Sequence, residues 1–129
     1  MKIAIVSGVG PTDGLGAQLG VRFAKEGLHV LLAGRTEEKL EAVVADIKAQ
    51  GGSAEGIVAD ATDEAATEDL FARAGDQLEL AIYNTGNNTP GRIVDMSAEF
   101  FANSWQVCCF GGFLSVSYTH LRAHETEEN

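Results

Sequence analysis

A short apolar segment that runs directly into a glycine-rich turn constrains the fold of this chain most. Residues 3–16 read I-A-I-V-S-G-V-G-P-T-D-G-L-G, and a helical pattern begins at Leu15. The glycines Gly10, Gly14 and Gly16 have the spacing G-x-x-x-G-x-G. At a strand–helix junction, such glycines permit a tight turn, a close approach of the backbone to a pyrophosphate, and close helix packing. The N–H groups at the helix start favour phosphate. The alternative is a turn that binds no ligand.

Apolar segments that read as strands alternate with segments of helical periodicity along the rest of the chain. The predicted strands cover residues 3–6, 29–33, 54–59 and 78–83, and the predicted helices begin near Gly14, Thr36, Glu64 and Ser97. The near-continuous apolar runs are typical of a parallel sheet buried on both faces. This order predicts an α/β fold, a Rossmann-type doubly wound parallel sheet, truncated to about four strands in the order 3-2-1-4. In the first helix we expect Leu15, Leu19 and Phe23 to form the buried stripe.

The charge and the cysteine content limit the partners and the compartment. The formal net charge is −10, from 9 basic and 19 acidic residues, which leaves no basic stripe to neutralise phosphates. No apolar run reaches the roughly 18 residues of a membrane span. The two cysteines, Cys108 and Cys109, are adjacent and unsuited to pairing with each other in a helix. We therefore expect a reduced, cytoplasmic protein with no nucleic-acid and no membrane partner.

The end of the second predicted strand indicates which dinucleotide would bind. Folds that bind NAD place an Asp or Glu here to hold the ribose 2′-hydroxyl, whereas this chain has Gly34, Arg35 and Thr36. An arginine can bind a 2′-phosphate through a bidentate, charge-assisted pair, with Thr36 as a second donor. We therefore predict NADP, with NAD less favoured. The alternative is a solvated Arg35 that pairs with Glu37 or Glu38.

These segments, over about residues 3–114, resemble the short-chain dehydrogenase/reductase family. The turn resembles that family's T-G-x-x-x-G-[IL]-G loop, with Val9 in the place of the usual Thr. In a second alignment Ser7-Gly8 fills the T-G place and Thr12-Asp13 form an insertion. Both alignments keep Gly14-Leu15-Gly16. The resemblance implies that this loop binds the cofactor through Gly10, Thr12, Asp13, Gly14, Leu15 and Gly16.

The resemblance continues after the third and fourth strands. Asp60-Ala61-Thr62-Asp63 is similar to the family's D-[VL]-[ST]-D segment, which holds the adenine ring, although both aspartates are also candidate caps of the next helix. Tyr83-Asn84-Thr85-Gly86 resembles N-N-A-G, with Tyr83 replacing the first Asn and Thr85 replacing Ala. In relatives that segment lines the nicotinamide-side ribose. The resemblance adds these residues to the cofactor site: Arg35, Thr36, Asp60, Ala61, Asn84, Thr85 and Gly86.

The resemblance implies an oxidoreductase but assigns no catalytic residue in this chain. The segment V-C-C-F-G-G-F-L at residues 107–114 resembles V-N-x-x-G-x-F-L, so the family's catalytic Asn falls on Cys108, which we expect to be a small buried residue. The family's Ser and its Y-x-x-x-K pair have no counterpart. The implied parent is a homo-oligomeric NADP-dependent enzyme that transfers hydride to or from a small carbonyl or alcohol, and we expect the fragment alone to be inactive. The alternatives are a non-catalytic NADP-binding module and, less favoured because of Arg35, an adenosylmethionine-dependent methyltransferase.

The last residues of the chain depart from this pattern. From Val116 the sequence V-S-Y-T-H-L-R-A-H-E-T closely resembles a translation of the transposase adapter used in DNA library preparation. We therefore expect a cofactor-binding domain at residues 1–114 and a non-native or disordered tail at residues 115–129. His120 and His124 have a spacing that suits a metal on a helix, but the expected origin of the tail argues against a metal site.

Overall fold

Four parallel strands form a single sheet in the computed structural model, which describes residues 1–87 and 89–128, and side chains up to residue 121. The strands are β1 (Ile3–Ser7), β2 (His29–Gly34), β3 (Ser53–Val58) and β4 (Leu78–Tyr83). Their order across the sheet is β3-β2-β1-β4, with parallel pairing throughout. The predicted α/β fold and the predicted strand order are therefore confirmed.

Within residues 1–87 and 89–128, five α-helices connect and follow the strands. They are α1 (Leu15–Lys25), α2 (Glu37–Ala49), α3 (Glu64–Ala74), α4 (Ala98–Trp105) and α5 (Gly111–Glu128). The Ser97 hydroxyl accepts a hydrogen bond from the Phe100 N–H at 3.0 Å and caps α4, which begins where predicted. A π-helical turn, Gln106–Phe110, interrupts the predicted long helix between α4 and α5. Within the described part of the chain, no helix has both the length and the apolar character to cross a bilayer.

The core lies on both faces of the sheet because the inner strands are apolar at successive positions. Val6 and Leu32 pack with residues of α1 and α2 on one face. Ile5 and Leu31 pack with residues of α3 on the other face, against which Tyr118 of α5 also lies. Successive side chains of a strand point to opposite faces, so a continuous apolar run is what a sheet covered on both sides requires.

Helix α1 packs on the sheet through small residues, which corrects the predicted stripe of Leu15, Leu19 and Phe23. Leu15 is 66% exposed. The buried residues of α1 are Gly16, Ala17, Gly20 and Ala24. A Cβ at position 20 would lie 2.6 Å from Cδ2 of Leu32, so the glycine allows the helix to approach the sheet closely. Helical periodicity predicted that the larger apolar side chains of α1 face the sheet. The close approach of the helix to the sheet instead requires small residues on that face.

Helix α5 crosses the predicted domain boundary at residue 114. Ser115 is buried, and its backbone carbonyl accepts a hydrogen bond from the Thr119 hydroxyl at 2.8 Å. The Tyr118 hydroxyl donates to Oε2 of Glu64 at 3.2 Å. Ser115 and Tyr118 therefore pack on the domain as part of α5. The conformation of this segment does not reveal its origin, and the predicted non-native origin stays a prediction.

Candidate functional site

A cavity of about 260 Å³ lies at the carboxyl ends of the strands, where open α/β sheets bind their ligands. The predicted site residues that line it are Gly10, Arg35, Thr36, Asp60, Ala61, Asn84, Thr85 and Gly86. The predicted residues that do not line it are Thr12, Asp13, Gly14, Leu15 and Gly16. The loops after all four strands therefore contribute to one cavity, and the start of α1 lies beside it.

Gly8 makes the tight turn after β1. Its φ angle is +88°, in the left-handed region that favours glycine. The N–H groups of Gly8 and Val9 both donate to the carbonyl oxygen of Ala33 at 3.0 Å, which fixes the turn against β2. A Cβ at position 8 would lie 2.5 Å from the backbone nitrogen of Thr85. Both the conformation and the packing of this turn therefore require glycine.

The glycine spacing G-x-x-x-G-x-G that begins at Gly10 does not include the glycine that makes the turn. Gly10 lacks a positive φ angle, and a Cβ there would have no neighbour within 4 Å. The alignment with Ser7-Gly8 in the first place and Thr12-Asp13 as an insertion fits the backbone better. Gln18 of α1 donates from Nε2 to the Thr12 carbonyl at 2.8 Å and holds the inserted residues. Sequence reasoning left Gly8 out of the site, although its place directly after the strand was a usable signal.

Gly34 leaves no room for a carboxylate at the end of β2. A Cβ at position 34 would lie 2.6 Å from the carbonyl oxygen of Val9 and 3.2 Å from Cδ2 of Leu40. The nearest atom belongs to the backbone of the glycine turn, so the turn itself would have to move to admit a side chain at position 34. The missing acidic residue therefore has a structural cause: the glycine turn occupies the space that its side chain would need.

Two cationic side chains line the cavity next to Gly34. Arg35 is exposed and forms no ion pair within residues 1–87 and 89–121, so the alternative pairing with its acidic neighbours is not observed. Lys39 lies four residues further on and lines the same cavity, a contribution that the i, i+4 spacing could have indicated. Thr36 occupies the N-cap position of α2, and within the described residues its side chain makes no capping hydrogen bond.

Asp60 faces the cavity from the end of β3. Its Oδ1 accepts hydrogen bonds from the Thr62 N–H at 2.9 Å and from the Thr62 hydroxyl at 2.7 Å. These bonds, the backbone one first, lower the pKa of Asp60, and the charge of Arg35 acts in the same direction. Asp63 caps α3 by accepting from the Ala66 N–H at 3.2 Å. Asp63 rather than Asp60 therefore caps α3. Asp60, whose pKa is lowered, is an ionised group at the cavity.

The end of β4 is tied to the glycine turn and to the π-helical turn. Asn84 donates from its backbone N–H to the Ser7 carbonyl at 2.9 Å and from Nδ2 to the Gly8 carbonyl at 3.3 Å. The Tyr83 hydroxyl donates to the backbone carbonyl of Val107. Burial raises the pKa of Tyr83, so this hydroxyl remains a donor at neutral pH. Together these bonds fix the wall of the cavity between β1 and the start of α5.

Cys108 is exposed, which corrects the prediction of a small buried residue. The prediction rested on the usual burial of free cysteines, whereas Cys108 lies in the π-helical turn at residues 106–110. Among the described residues, no cluster of three or more His, Cys, Asp or Glu side chains suits a metal ion. The predicted pair of His120 and His124 is not described, because the side chain of His124 lies outside the described residues.

The sequence profile of the short chain dehydrogenase family matches residues 2–125. The chain belongs to this family. Its members are oxidoreductases that use NAD or NADP as cofactor. The predicted family is therefore confirmed.

Known relatives match this chain over only part of their length. The crystal structure of a short-chain dehydrogenase/reductase from Burkholderia xenovorans is similar with a TM-score of 0.87 and 29% identity, over 94% of this chain and 50% of that chain. An uncharacterised oxidoreductase of Mycobacterium tuberculosis is 32% identical over 81% of this chain and 40% of its own length. A 3β-hydroxysteroid dehydrogenase of Mediterraneibacter gnavus is 38% identical over 66% of this chain and 31% of its own length. The chain thus spans half or less of these relatives.

Proposed function

We propose that this chain binds NADP in the cavity at the carboxyl edge of its sheet. The observation that carries the proposal is the steric exclusion of a carboxylate at Gly34 beside two cavity-lining cations, Arg35 and Lys39. A carboxylate at this place would repel a 2′-phosphate, whereas a guanidinium can form a bidentate pair with one. The exposed Arg35 side chain needs to give up no ion pair within residues 1–87 and 89–121 in order to do so.

The other cavity residues fit the remaining parts of the dinucleotide. Asp60 and Ala61 would contact the adenosine half. The glycine turn would bring the pyrophosphate close to the Gly10 N–H and the start of α1, since the N–H groups of Gly8 and Val9 already donate to Ala33. Asn84–Gly86 would lie along the nicotinamide half, held in place by the bonds of Asn84 to β1 and to the glycine turn. When bound, the nicotinamide would supply the site for hydride transfer.

We further propose that the intact protein transfers hydride between NADP and a small carbonyl or alcohol substrate. We infer that this chain does not catalyse the reaction alone, since it holds no Y-x-x-x-K pair. An exposed thiol, Cys108, at the family's Asn place favours a second candidate, a non-catalytic NADP-binding module. Assays of the intact protein with a panel of carbonyl compounds distinguish the two, because the module would bind NADPH without consuming it.

Three further proposals concern the intact protein. A homo-oligomer is supported by the stacked and partly exposed rings of Trp105, Phe110 and Phe113, and a monomer in light scattering would contradict it.

A cytoplasmic location is supported by two free cysteines, and secretion in a fractionation experiment would contradict it. The adapter-like sequence supports a non-native origin of residues 115–129, and a genomic sequence that encodes them in frame after Leu114 would contradict it.

Titration of the chain with the two reduced dinucleotides tests the proposed function. Because a charge-assisted pair is worth about 1.5–3 kcal/mol, we expect the Kd for NADPH to be roughly 10- to 100-fold lower than that for NADH. The Arg35→Ser variant is the matched control and is expected to lose most of this difference while it keeps its affinity for NADH. Equal affinities of the unsubstituted chain for both dinucleotides would show that the proposed preference is wrong.

A further inference from the structure

Two adjacent thiols lie on the outer side of the π-helical turn. Cys108 and Cys109 are both exposed, whereas Val107 and Phe110 on either side of them are partly buried and the following Gly111 is buried. Because both cysteines avoid the buried side of the turn, they share its solvent-facing side. They are the two cysteines of the whole sequence. The turn therefore presents a pair of accessible thiols side by side.

The two thiols are too close along the chain to form an ordinary disulfide with each other. The peptide bonds of the described residues are trans, and Cα atoms joined by a trans peptide are about 3.8 Å apart. Disulfides need Cα atoms that are roughly 4.4–6.8 Å apart. A metal ion between two sulfurs gives a longer bridge, because each metal–sulfur bond is roughly 2.3 Å long. The pair is therefore better suited to hold an ion than to oxidise.

The number and the type of the ligands determine which ion fits. Thiolates are soft ligands that select Cu(I), zinc or iron–sulfur clusters. Structural zinc takes four ligands, and iron–sulfur clusters take four cysteines. Among the residues that the structure describes, no group of three or more His, Cys, Asp or Glu side chains suits a metal ion. Cu(I) is a closed-shell ion that is stable with two thiolates, so the pair matches Cu(I) and does not match zinc.

We propose that Cys108 and Cys109 bind one Cu(I) ion between their two sulfur atoms. Each thiol gives up its proton when its copper–sulfur bond forms, so two protons are released and no electron is transferred. Neither cysteine lines the cavity at the carboxyl edge of the sheet. The copper site is thus separate from the proposed NADP site and does not rest on it.

Titration of the chain with Cu(I) alone, supplied without oxygen as its bicinchoninate complex, tests the site. The chain should withdraw one Cu(I) from this coloured indicator. Cys108→Ser and Cys109→Ser should each weaken Cu(I) binding by roughly 100-fold or more, since loss of a mere partner of a metal ligand already costs 10- to 100-fold. Both positions are exposed, so the melting temperature should not change in either variant. The matched control Met96→Leu removes a thioether sulfur elsewhere and should leave Cu(I) binding unchanged.

The outcomes distinguish the two-thiolate site from other modes of binding. Weakening in only one of the two cysteine variants would show a single-thiol site and overturn the inference. One Cu(I) per two chains, or displacement of Cu(I) by an equal concentration of zinc, would show a four-thiolate site shared between copies and would overturn it as well. X-ray absorption of the copper-loaded chain needs no variant and should show two sulfur neighbours. Three or more neighbours, or no withdrawal of Cu(I) from the indicator, would also refute the site.

Discussion

The Gly8→Ala variant is expected to lose about 3 kcal/mol of unfolding free energy or more, and with it measurable binding of NADPH. The residue has a φ of +88°, which an alanine adopts only with strain. The added methyl group would also lie 2.5 Å from the Thr85 nitrogen, and this backbone atom belongs to the strand end that Asn84 ties to β1. Urea denaturation followed by circular dichroism measures the loss, and fluorescence titration measures the binding.

Two glycine variants separate the causes of this loss. Gly27 has a φ of +92° but open space around it, so Gly27→Ala should cost only the conformational strain, about 1–2 kcal/mol. Gly10 has neither a positive φ nor a close neighbour, so the free energy of unfolding of Gly10→Ala should equal that of the unsubstituted chain or slightly exceed it. If Gly8→Ala proved no more destabilising than Gly27→Ala, the close approach of the turn to Thr85 would be refuted.

The Gly34→Asp variant is expected to weaken NADPH binding by at least tenfold without improving NADH binding. In other dinucleotide folds an acidic residue at this place holds the ribose of NAD. Here the new Cβ would lie 2.6 Å from the Val9 carbonyl, so the carboxylate can be accommodated only if the glycine turn moves. That movement costs about 1–3 kcal/mol, and the carboxylate would repel a 2′-phosphate as well.

Titrations of this variant with both dinucleotides measure the effect, and its melting temperature should fall at the same time. The Gly34→Ala variant is the matched control, since it introduces the same Cβ without the charge. It should show the same fall in stability and a smaller loss of NADPH affinity. A Gly34→Asp protein that bound NADH more tightly than the unsubstituted chain would refute the steric argument.

The fold was predictable because its signals are local. The two inner strands, β1 and β2, are runs of apolar residues that end in polar residues or glycine. The bounds of β4 agree with the prediction at both ends, and α3 begins at the predicted residue. Parallel strands separated by helices then place every loop after a strand at the same edge of the sheet. That geometry is why the loops at Arg35, Asp60 and Asn84 could be assigned to a single site before their contacts were known.

The errors share one physical origin, the dependence of local structure on contacts between distant residues. Gly8 is required by its contact with Thr85, and Gly20 by its contact with Leu32, and neither contact leaves a periodic signal in the sequence. Cys108 is exposed and lies in a π-helical turn that an α-helical pattern does not predict. Sequence periodicity therefore located the elements and their loops, but the close approaches that shape the cavity required the structure.

Hydrogen–deuterium exchange of the chain with and without NADPH tests most directly whether the cavity is the dinucleotide site. NADPH should slow exchange in the loops that follow all four strands, at residues 8–10, 35–36, 60–61 and 84–86. The exposed aromatic segment of α4 and the π-helical turn, residues 101–106, serves as the internal control and should exchange at an unchanged rate. Protection confined to that segment, or none at any of the four loops under saturating NADPH, would contradict the account.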